Sequence, residues 1–338
     1  MKATKDFPWL QEMRDFLQWR GRDAVLLAEA NVLPTENVAY FGDRGERLQM
    51  LLNFAVNQRI FYALASCDTR PLQRALLATR ERPEAAQWVH FLRSHDELDL
   101  GRLTARQREE VFKAFGPDRN MQLYHRGIRR RLAPMLDNDR RRLELAFSLL
   151  FTLPGTPMLQ FGDEIGLGDD LSLPEREGAR TPMQWSNERN GGFSNARRPV
   201  RPVVDDPIYG YQRVNVADQR RDADSLLNWM ERAIRMRKEC PEISWGDWEL
   251  LETGERAVLA IQYFWRGHSI IAVHNFSAQP CAVTLRGVRT EGLPLVSLLS
   301  RLDCDAEDGD RYPVSLEPYG YRWFRVGSLD RNVPRTLS

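Results

Sequence analysis

Three short apolar runs of this chain end in acidic residues, and this repeat constrains the fold more than any other feature. The runs are residues 24–30 (AVLLAEA), 88–97 (WVHFLRSHDE) and 157–164 (PMLQFGDE). A helix-like stretch precedes each run, which predicts β/α repeats around a parallel sheet. In such folds the chemistry lies at the carboxyl ends of the strands. The acids that end the runs, Glu29 and Asp96 among them, are therefore candidate functional residues.

Each of these acids also has a plainer interpretation. Ser94 and Asp96 are ordinary N-cap residues for a following helix, and Glu29 can simply begin a loop. Asp163 and Glu164 are interpreted as structural, because acids at strand ends more often orient their neighbours than perform chemistry. The residue pattern alone leaves both interpretations of Glu29 and Asp96 open.

The chain changes character twice after the third run. Residues 166–222 are rich in Gly, Pro, Asp, Arg and Asn and show little periodicity, which predicts a long functional loop. After Trp245, short β-forming runs alternate with turns and predict a small antiparallel domain. We therefore predict a first domain over 1–243, a second over 244–330 and a tail over 331–338.

Composition and charge exclude several classes of protein. With 48 Lys and Arg against 47 Asp and Glu, the net charge of +1 gives no reason to expect a nucleic-acid partner. The basic triplets 129–131 and 140–142 lie among acids and are interpreted as a solvated helix face. No apolar run is long enough for a membrane span, and the N-terminus does not resemble a signal peptide. Four widely spaced cysteines indicate reduced thiols and a cytoplasmic location.

Several motifs together resemble the α-amylase superfamily of glycoside hydrolases. Residues 28–31 (AEAN), 91–97 (FLRSHDE) and 155–166 (GTPMLQFGDEIG) are similar to successive late strands of its (β/α)8 barrel. Residues 180–185 (RTPMQW) and 190–194 (NGGFS) are similar to the branch that holds trehalose synthases and oligo-α-glucosidases. Within that branch, GIRRRLAP and NWMERAIRMRKECP most resemble trehalose synthases, which are maltose α-D-glucosyltransferases.

The resemblance implies specific roles. Glu29 matches the family's general acid/base, and Asp96 matches the carboxylate that binds sugar hydroxyls and stabilises the oxocarbenium-like transition state. His95, Arg180 and Gln184 match sugar-binding positions. The implied activity is retaining α-glucosyl transfer between maltose and trehalose, and the implied partners are α-glucosides. No cofactor or metal is expected, although the complete family fold can hold calcium.

The same comparison predicts an incomplete barrel. The family's nucleophile is an Asp on the fourth strand, and nothing in residues 1–23 resembles its motif. The predicted fold is therefore the C-terminal half of a (β/α)8 TIM barrel, strands five to eight, followed by a small antiparallel β-sandwich. We expect no activity from the isolated chain, which would need the missing N-terminal half, a partner chain or self-association. Two alternatives remain open: an α-glucosidase-type hydrolase of short α-glucosides, and an inactive half-barrel that binds sugar or a partner subunit.

Overall fold

A computed structural model describes residues 7–21, 23–290, 292–299, 303–305 and 311–327. The chain divides into two units, Met1–Ile234 and Arg235–Ser338. The division falls inside the helix Leu226–Lys238, nine residues before the predicted boundary at 243. The predicted tail, 331–338, lies outside the described residues, as do residues 328–330 of the second predicted domain.

The first unit alternates helices with short strands. In chain order its elements are α1 (Pro8–Arg20), β1 (Leu27–Ala28), α2 (Asn37–Phe41), β2 (Met50–Leu52), α3 (Phe54–Ser66), α4 (Arg70–Ala78), β3 (Gln87–Phe91), β4 (Leu98–Asp99), α5 (Ala105–Phe115), β5 (Gln122–Leu123), β6 (Gly127–Ile128), α6 (Leu132–Met135), α7 (Arg140–Thr152), β7 (Thr156–Met158), α8 (Val216–Arg221) and α9 (Leu226–Lys238).

Four of these strands form one parallel sheet in the order β1-β2-β3-β7. Leu27 pairs with Met50, Leu51 with Trp88, and Val89 with Thr156. Three of the strands are the predicted apolar runs, and the β/α order between them matches strands five to eight of the barrel. The predicted fold class is confirmed.

Capping residues at the helix starts and apolar faces toward the core both stabilise the helices of this unit. Asp139 caps α7 by accepting from the amides of Arg141 and Arg142. The second half of α7 is apolar on every side and is buried, as predicted for a helix inside a core. Thr104 and Gln107 form a reciprocal capping box at the start of α5.

One outer edge of the parallel sheet carries exposed apolar residues. β1 ends the sheet, and in the described part of the chain it pairs only with β2. Leu27 in β1 is 46% exposed, and Val25 just before the strand is 58% exposed. Helix α1 adds a stripe of large exposed side chains three or four residues apart: Trp9, Met13, Phe16 and Trp19.

A second, antiparallel sheet of three short strands follows β3, in the order β4-β6-β5. Its turn places Tyr124 and His125 in the left-handed region, with φ of 53° and 55°. The sheet brings residues 97–99 against 126–128, because Leu98 pairs with Ile128 and Asp99 with Gly127.

The long segment 166–222 has little regular structure, and buried arginines hold part of it. The Arg129 guanidinium donates to the carbonyls of Leu171, Leu173 and Glu175. Arg131 is fully buried and donates to the carbonyl of Phe161. The interpretation of 129–131 as a solvated helix face is therefore wrong, since these arginines satisfy carbonyls of loops that lack a hydrogen-bond ladder.

The second unit is an antiparallel sandwich. Its elements are α10 (Pro241–Trp245), β8 (Asp247–Leu250), β9 (Val258–Trp265), β10 (His268–Asn275), β11 (Cys281–Leu285), β12 (Leu295–Ser297), β13 (Tyr312–Leu316) and β14 (Tyr321–Val326). A five-stranded sheet runs β12-β14-β10-β9-β8, and β11 pairs with β13. Inward residues of both sheets share one apolar core, with Ile271, Val283 and Phe324 among them.

Candidate active site

Three polar side chains converge at the carboxyl ends of the parallel strands. Glu29 follows β1, while His95 and Asp96 follow β3. One carboxylate oxygen from each acid and one imidazole nitrogen all lie within 4.8 Å of one another. Because their motifs resemble successive late strands of the barrel, the two acids are expected on neighbouring strands. This is wrong, because β2 lies between β1 and β3. Alternate strands nevertheless contribute to one layer in a barrel, which accounts for the meeting.

Two arginines of the long segment contact the same carboxylate oxygen of Asp96. Arg180 Nη2 lies 2.8 Å from Asp96 Oδ1, and Arg176 Nη1 lies 3.2 Å from the same oxygen. His95 Nε2 is 3.6 Å from it. Arg180 also donates through Nε to the His95 carbonyl at 2.8 Å. The segment 166–222 therefore folds back onto the residues that follow β3.

Glu97, the next residue, is buried and contacts both Arg176 and a further arginine, Arg126. Its Oε2 accepts from Arg176 Nε at 2.7 Å, and its Oε1 lies 3.8 Å from Arg126 Nη2. Arg126 Nε lies 3.5 Å from Asp99 Oδ1, and Asn31 donates to Asp99 Oδ2 at 2.7 Å. Alternating charges thus link the loop after Glu29 to Asp96. In the sequence, Glu97 stands out only as part of an acidic cluster, and nothing local marks Arg176.

Gln184 does not reach this surface. Its side chain is completely buried, and its amide donates to the carbonyls of Tyr209, at 3.0 Å, and Val214. These bonds tie the segment 166–222 to itself. Among the described contacts, the Gln184 amide bonds only within its own segment, and its role in sugar binding stays a prediction. Arg180, in contrast, lies at the site through its bond to Asp96.

A cavity of about 700 Å³ adjoins Arg180. Three aromatic side chains line it, Phe161, Trp185 and Phe193, together with Glu164. Its volume falls within the roughly 300–1,000 Å³ of small-molecule sites. Aromatic rings beside a charged fork suit a ligand that has both apolar faces and hydroxyl groups.

Buried charged residues lie next to the backbone of the site. Arg93 is fully buried, and it donates to the carbonyls of Asp96 and Arg130, each at 2.7 Å. Burial lowers the pKa of Arg93 to about 10, although nearby Asp163 opposes the change. Burial raises the pKa of Asp163 to about 6, opposed by Arg131 and Arg93. The Asp96 backbone therefore rests on a guanidinium with little access to water.

The same three side chains have the spacing of a cation site. Glu29, His95 and Asp96 each offer a ligand atom, and carboxylate and imidazole groups are normal metal ligands. Arg176 and Arg180 nevertheless place two positive charges on the Asp96 oxygen. A dication there would be repelled by both guanidinium groups, so the donor set does not fit a resident metal well.

Comparison with known proteins places these residues in a family context. Residues 120–246 match the family described as alpha amylase, catalytic domain, and residues 267–325 match the sucrose hydrolase-like C-terminal domain. A trehalose synthase of Thermus thermophilus is 40% identical over 95% of this chain, and one of Pimelobacter is 38% identical over 95% of it. The chain spans 33% and 58% of the lengths of these curated relatives.

Comparison with solved structures shows the same fold as in known α-amylases. The crystal structure of an α-amylase from H. orenii superposes with a TM-score of 0.68 at 18% identity, and it covers 96% of this chain and 58% of that one. The family match over residues 120–246 and the similarity to trehalose synthases confirm the predicted resemblance to the α-amylase superfamily. Among the described residues, no helix is both long and apolar enough to cross a membrane.

Proposed function

We propose that this chain, which carries domains of the α-amylase family, supplies two catalytic groups of a retaining α-glucosyl transfer between maltose and trehalose. The observation that carries the proposal is the convergence of Glu29, His95 and Asp96 within 4.8 Å. Similarity to trehalose synthases along 95% of the chain supports glucose, rather than water, as the acceptor.

Glu29 is the proposed general acid and base. It is exposed at the end of β1, so a glycosidic oxygen can reach its carboxyl group. In the first step it gives a proton to that oxygen as the bond breaks, and in the second it takes a proton from the incoming hydroxyl. Both steps use one carboxyl group in alternating protonation states.

Asp96 is the proposed sugar-holding carboxylate. Its described contacts with charged side chains all involve Oδ1, which leaves Oδ2 to accept from sugar hydroxyls. A fixed negative charge beside the ring also stabilises the positive charge that develops in the transition state. His95 and Arg180 line the same surface and are the proposed neighbours of the sugar.

The nucleophile is the group that this arrangement does not supply. Within the described residues, the group that meets within 4.8 Å contains no third carboxylate. We propose that a further β/α segment, in the same polypeptide or on a partner chain, provides it. The open edge of β1 and the exposed apolar stripe of α1 are where such a segment would pack. The chain with the present sequence is expected to turn over no maltose.

The segment 166–222 is the proposed lid. Arg176 and Arg180 attach it to Asp96 and Glu97 through charged contacts of 2.7–3.2 Å. A loop held over the site excludes water while the freed glucose is rejoined, as transfer requires. A loosely held lid would admit water and favour the α-glucosidase alternative.

The test is a maltose incubation of the chain, alone and co-expressed with the part of the Pimelobacter trehalose synthase that precedes its match to this chain. We expect no product from the chain alone and trehalose from the combination. Glucose without trehalose from the combination would instead establish the hydrolase. Binding of maltose without turnover in either preparation would support the inactive half-barrel.

Glu29→Gln identifies the acid/base in the active combination. General acid–base catalysis contributes about 10²–10⁴-fold to a rate, so we expect at least that loss. Glu84→Gln is the matched control, because Glu84 is an exposed glutamate before β3. Near-normal turnover in Glu29→Gln would remove this residue from the mechanism.

A further inference from the structure

Glu97 is a buried carboxylate, and burying its charge is unfavourable because the group loses its hydration. Its side chain is only 5% exposed, and it accepts from Arg176 at 2.7 Å with Arg126 at 3.8 Å. Buried ion pairs seldom add stability over apolar packing, because removing both charges from water is unfavourable. A carboxylate kept in such a place suggests a task beyond stability.

The surrounding backbone is shaped to admit this side chain. A Cβ added to Gly127 would lie 2.5 Å from Glu97 Cγ, closer than real carbon atoms approach. Gly127 lies in β6 and pairs with Asp99, so the short antiparallel sheet fixes this approach. Glu97 therefore contacts two arginines, and it also packs against Gly127, where any larger residue would clash.

Arg176 bridges the carboxylates of Glu97 and Asp96. One guanidinium bonds Glu97 Oε2 through Nε and reaches Asp96 Oδ1 through Nη1 at 3.2 Å. The Tyr124 ring, whose centroid is 5.6 Å from the guanidinium carbon, supports it from a third direction. A planar fork bound at both ends sets the distance between two carboxylates in a way that a flexible ammonium does not.

The charges of this group also balance. Asp96, Glu97 and Glu177 contribute three negative charges, while their partners Arg126, Arg176 and Arg180 contribute three positive ones. Without Glu97, the three arginines would leave a net positive charge beside Asp96. Such a charge opposes a transition state in which the sugar ring becomes positive.

We propose that Glu97 is a positioning residue: through Arg176 it fixes the Asp96 carboxylate, and with it Arg180, in the orientation that the sugar meets. This inference rests on the proposed function for its catalytic meaning. The physical link from Glu97 to Arg180, which do not touch among the described contacts, can be tested without any turnover.

The first test observes arginine side chains of the whole chain by ¹H–¹⁵N NMR. Both Arg176 Nε and Arg180 Nε donate hydrogen bonds, the first to Glu97 and the second to the His95 carbonyl. In Glu97→Gln we expect a shifted Arg176 signal and faster hydrogen exchange at Arg180 Nε. If Glu97 only fills space, Arg180 will keep its wild-type shift and exchange rate, and the proposal is then overturned.

Two further variants protect the test against misfolding. Arg176→Lys keeps the positive charge but loses the bridging fork, and Gly127→Ala crowds Glu97 without changing any charge. Both should accelerate exchange at Arg180 Nε if the link is real. Glu110→Gln, which removes an exposed pair with Arg106, is the matched control and should change neither Arg176 nor Arg180. An unchanged Arg180 in a folded Arg176→Lys variant contradicts the proposal as directly as it would in Glu97→Gln.

A second test uses the active combination described above. A misplacement of the order of 1 Å near the chemistry costs about 10²-fold in rate. We expect Glu97→Gln to lower kcat by about that factor with a smaller change in KM, and Glu97→Asp to recover part of the loss. An unchanged kcat would overturn the proposed catalytic meaning. If the wild-type combination has no turnover, it is the proposed function that fails, and the NMR result still decides the physical link.

Discussion

The pKa of Asp163 predicts an unusual pH dependence of stability in the first unit. This carboxyl lies 3.6 Å from Arg131 Nη1 with only 3% of its side chain exposed, and burial raises its pKa from 3.8 to about 6. Burial also lowers the pKa of Arg131. Both directions indicate that loss of hydration outweighs the attraction between the two groups.

The sign follows from proton linkage. The native state holds the Asp163 proton more tightly than the unfolded state, so stability from this group is fully present below pH 3.8 and is lost as pH rises through 6. The shift corresponds to about 3 kcal/mol in total. Between pH 4.5 and 7.5 the part that is lost is about 2 kcal/mol. Most carboxylates act in the opposite direction, so the effect must be isolated by substitution.

Asp163→Asn isolates it, because asparagine resembles the protonated acid and does not titrate. Urea unfolding followed by tryptophan fluorescence at pH 4.5, 6 and 7.5 gives the stability difference between variant and wild type. We expect this difference to move by about 2 kcal/mol in favour of the variant between pH 4.5 and 7.5. A constant difference across this range would falsify the reasoning, since it would mean that Arg131 fully offsets the burial of Asp163.

Two further predictions concern residues outside the catalytic group. Gln184→Ala should destabilise the first unit by about 1–3 kcal/mol, because the carbonyls of Tyr209 and Val214 lose their donor. Urea unfolding measures this loss, and turnover of the active combination should stay at the wild-type level. Trp19→Ser should change the stability of the chain by less than about 0.5 kcal/mol, because Trp19 is 77% exposed. The same variant should weaken co-purification with the complementing Pimelobacter segment, and unchanged recovery would exclude α1 from that contact.

The strands and their acids could be predicted from sequence because local pattern determines them. An apolar run of strand length followed by titratable residues has few other uses in a β/α repeat, and Glu29 and Asp96 were identified in this way. That these residues meet depends on sheet order. Sequence places β1 and β3 in one sheet but does not show that β2 pairs between them.

The arginines and Gln184 could not be assigned from sequence, because their roles depend on distant backbone. Charged triplets are usually solvated, and nothing local marks Arg129 or Arg131 as donors to carbonyls some 30 to 46 residues away. Gln184 lies in a motif that resembles a sugar site, yet its amide binds its own loop. A motif identifies a segment, but long-range packing determines which of its side chains point outward.

The way Arg129 holds the segment after β7 has a consequence for how that segment can evolve. The guanidinium binds main-chain oxygens of residues 171, 173 and 175, and every amino acid carries such an oxygen. The identity of these three side chains therefore does not enter the bonds to Arg129, although Glu175, with a φ of 47°, is limited to residues that tolerate the left-handed region. The conformation of this stretch depends instead on Arg129, and lysine, which has no planar fork, would be a poor replacement there.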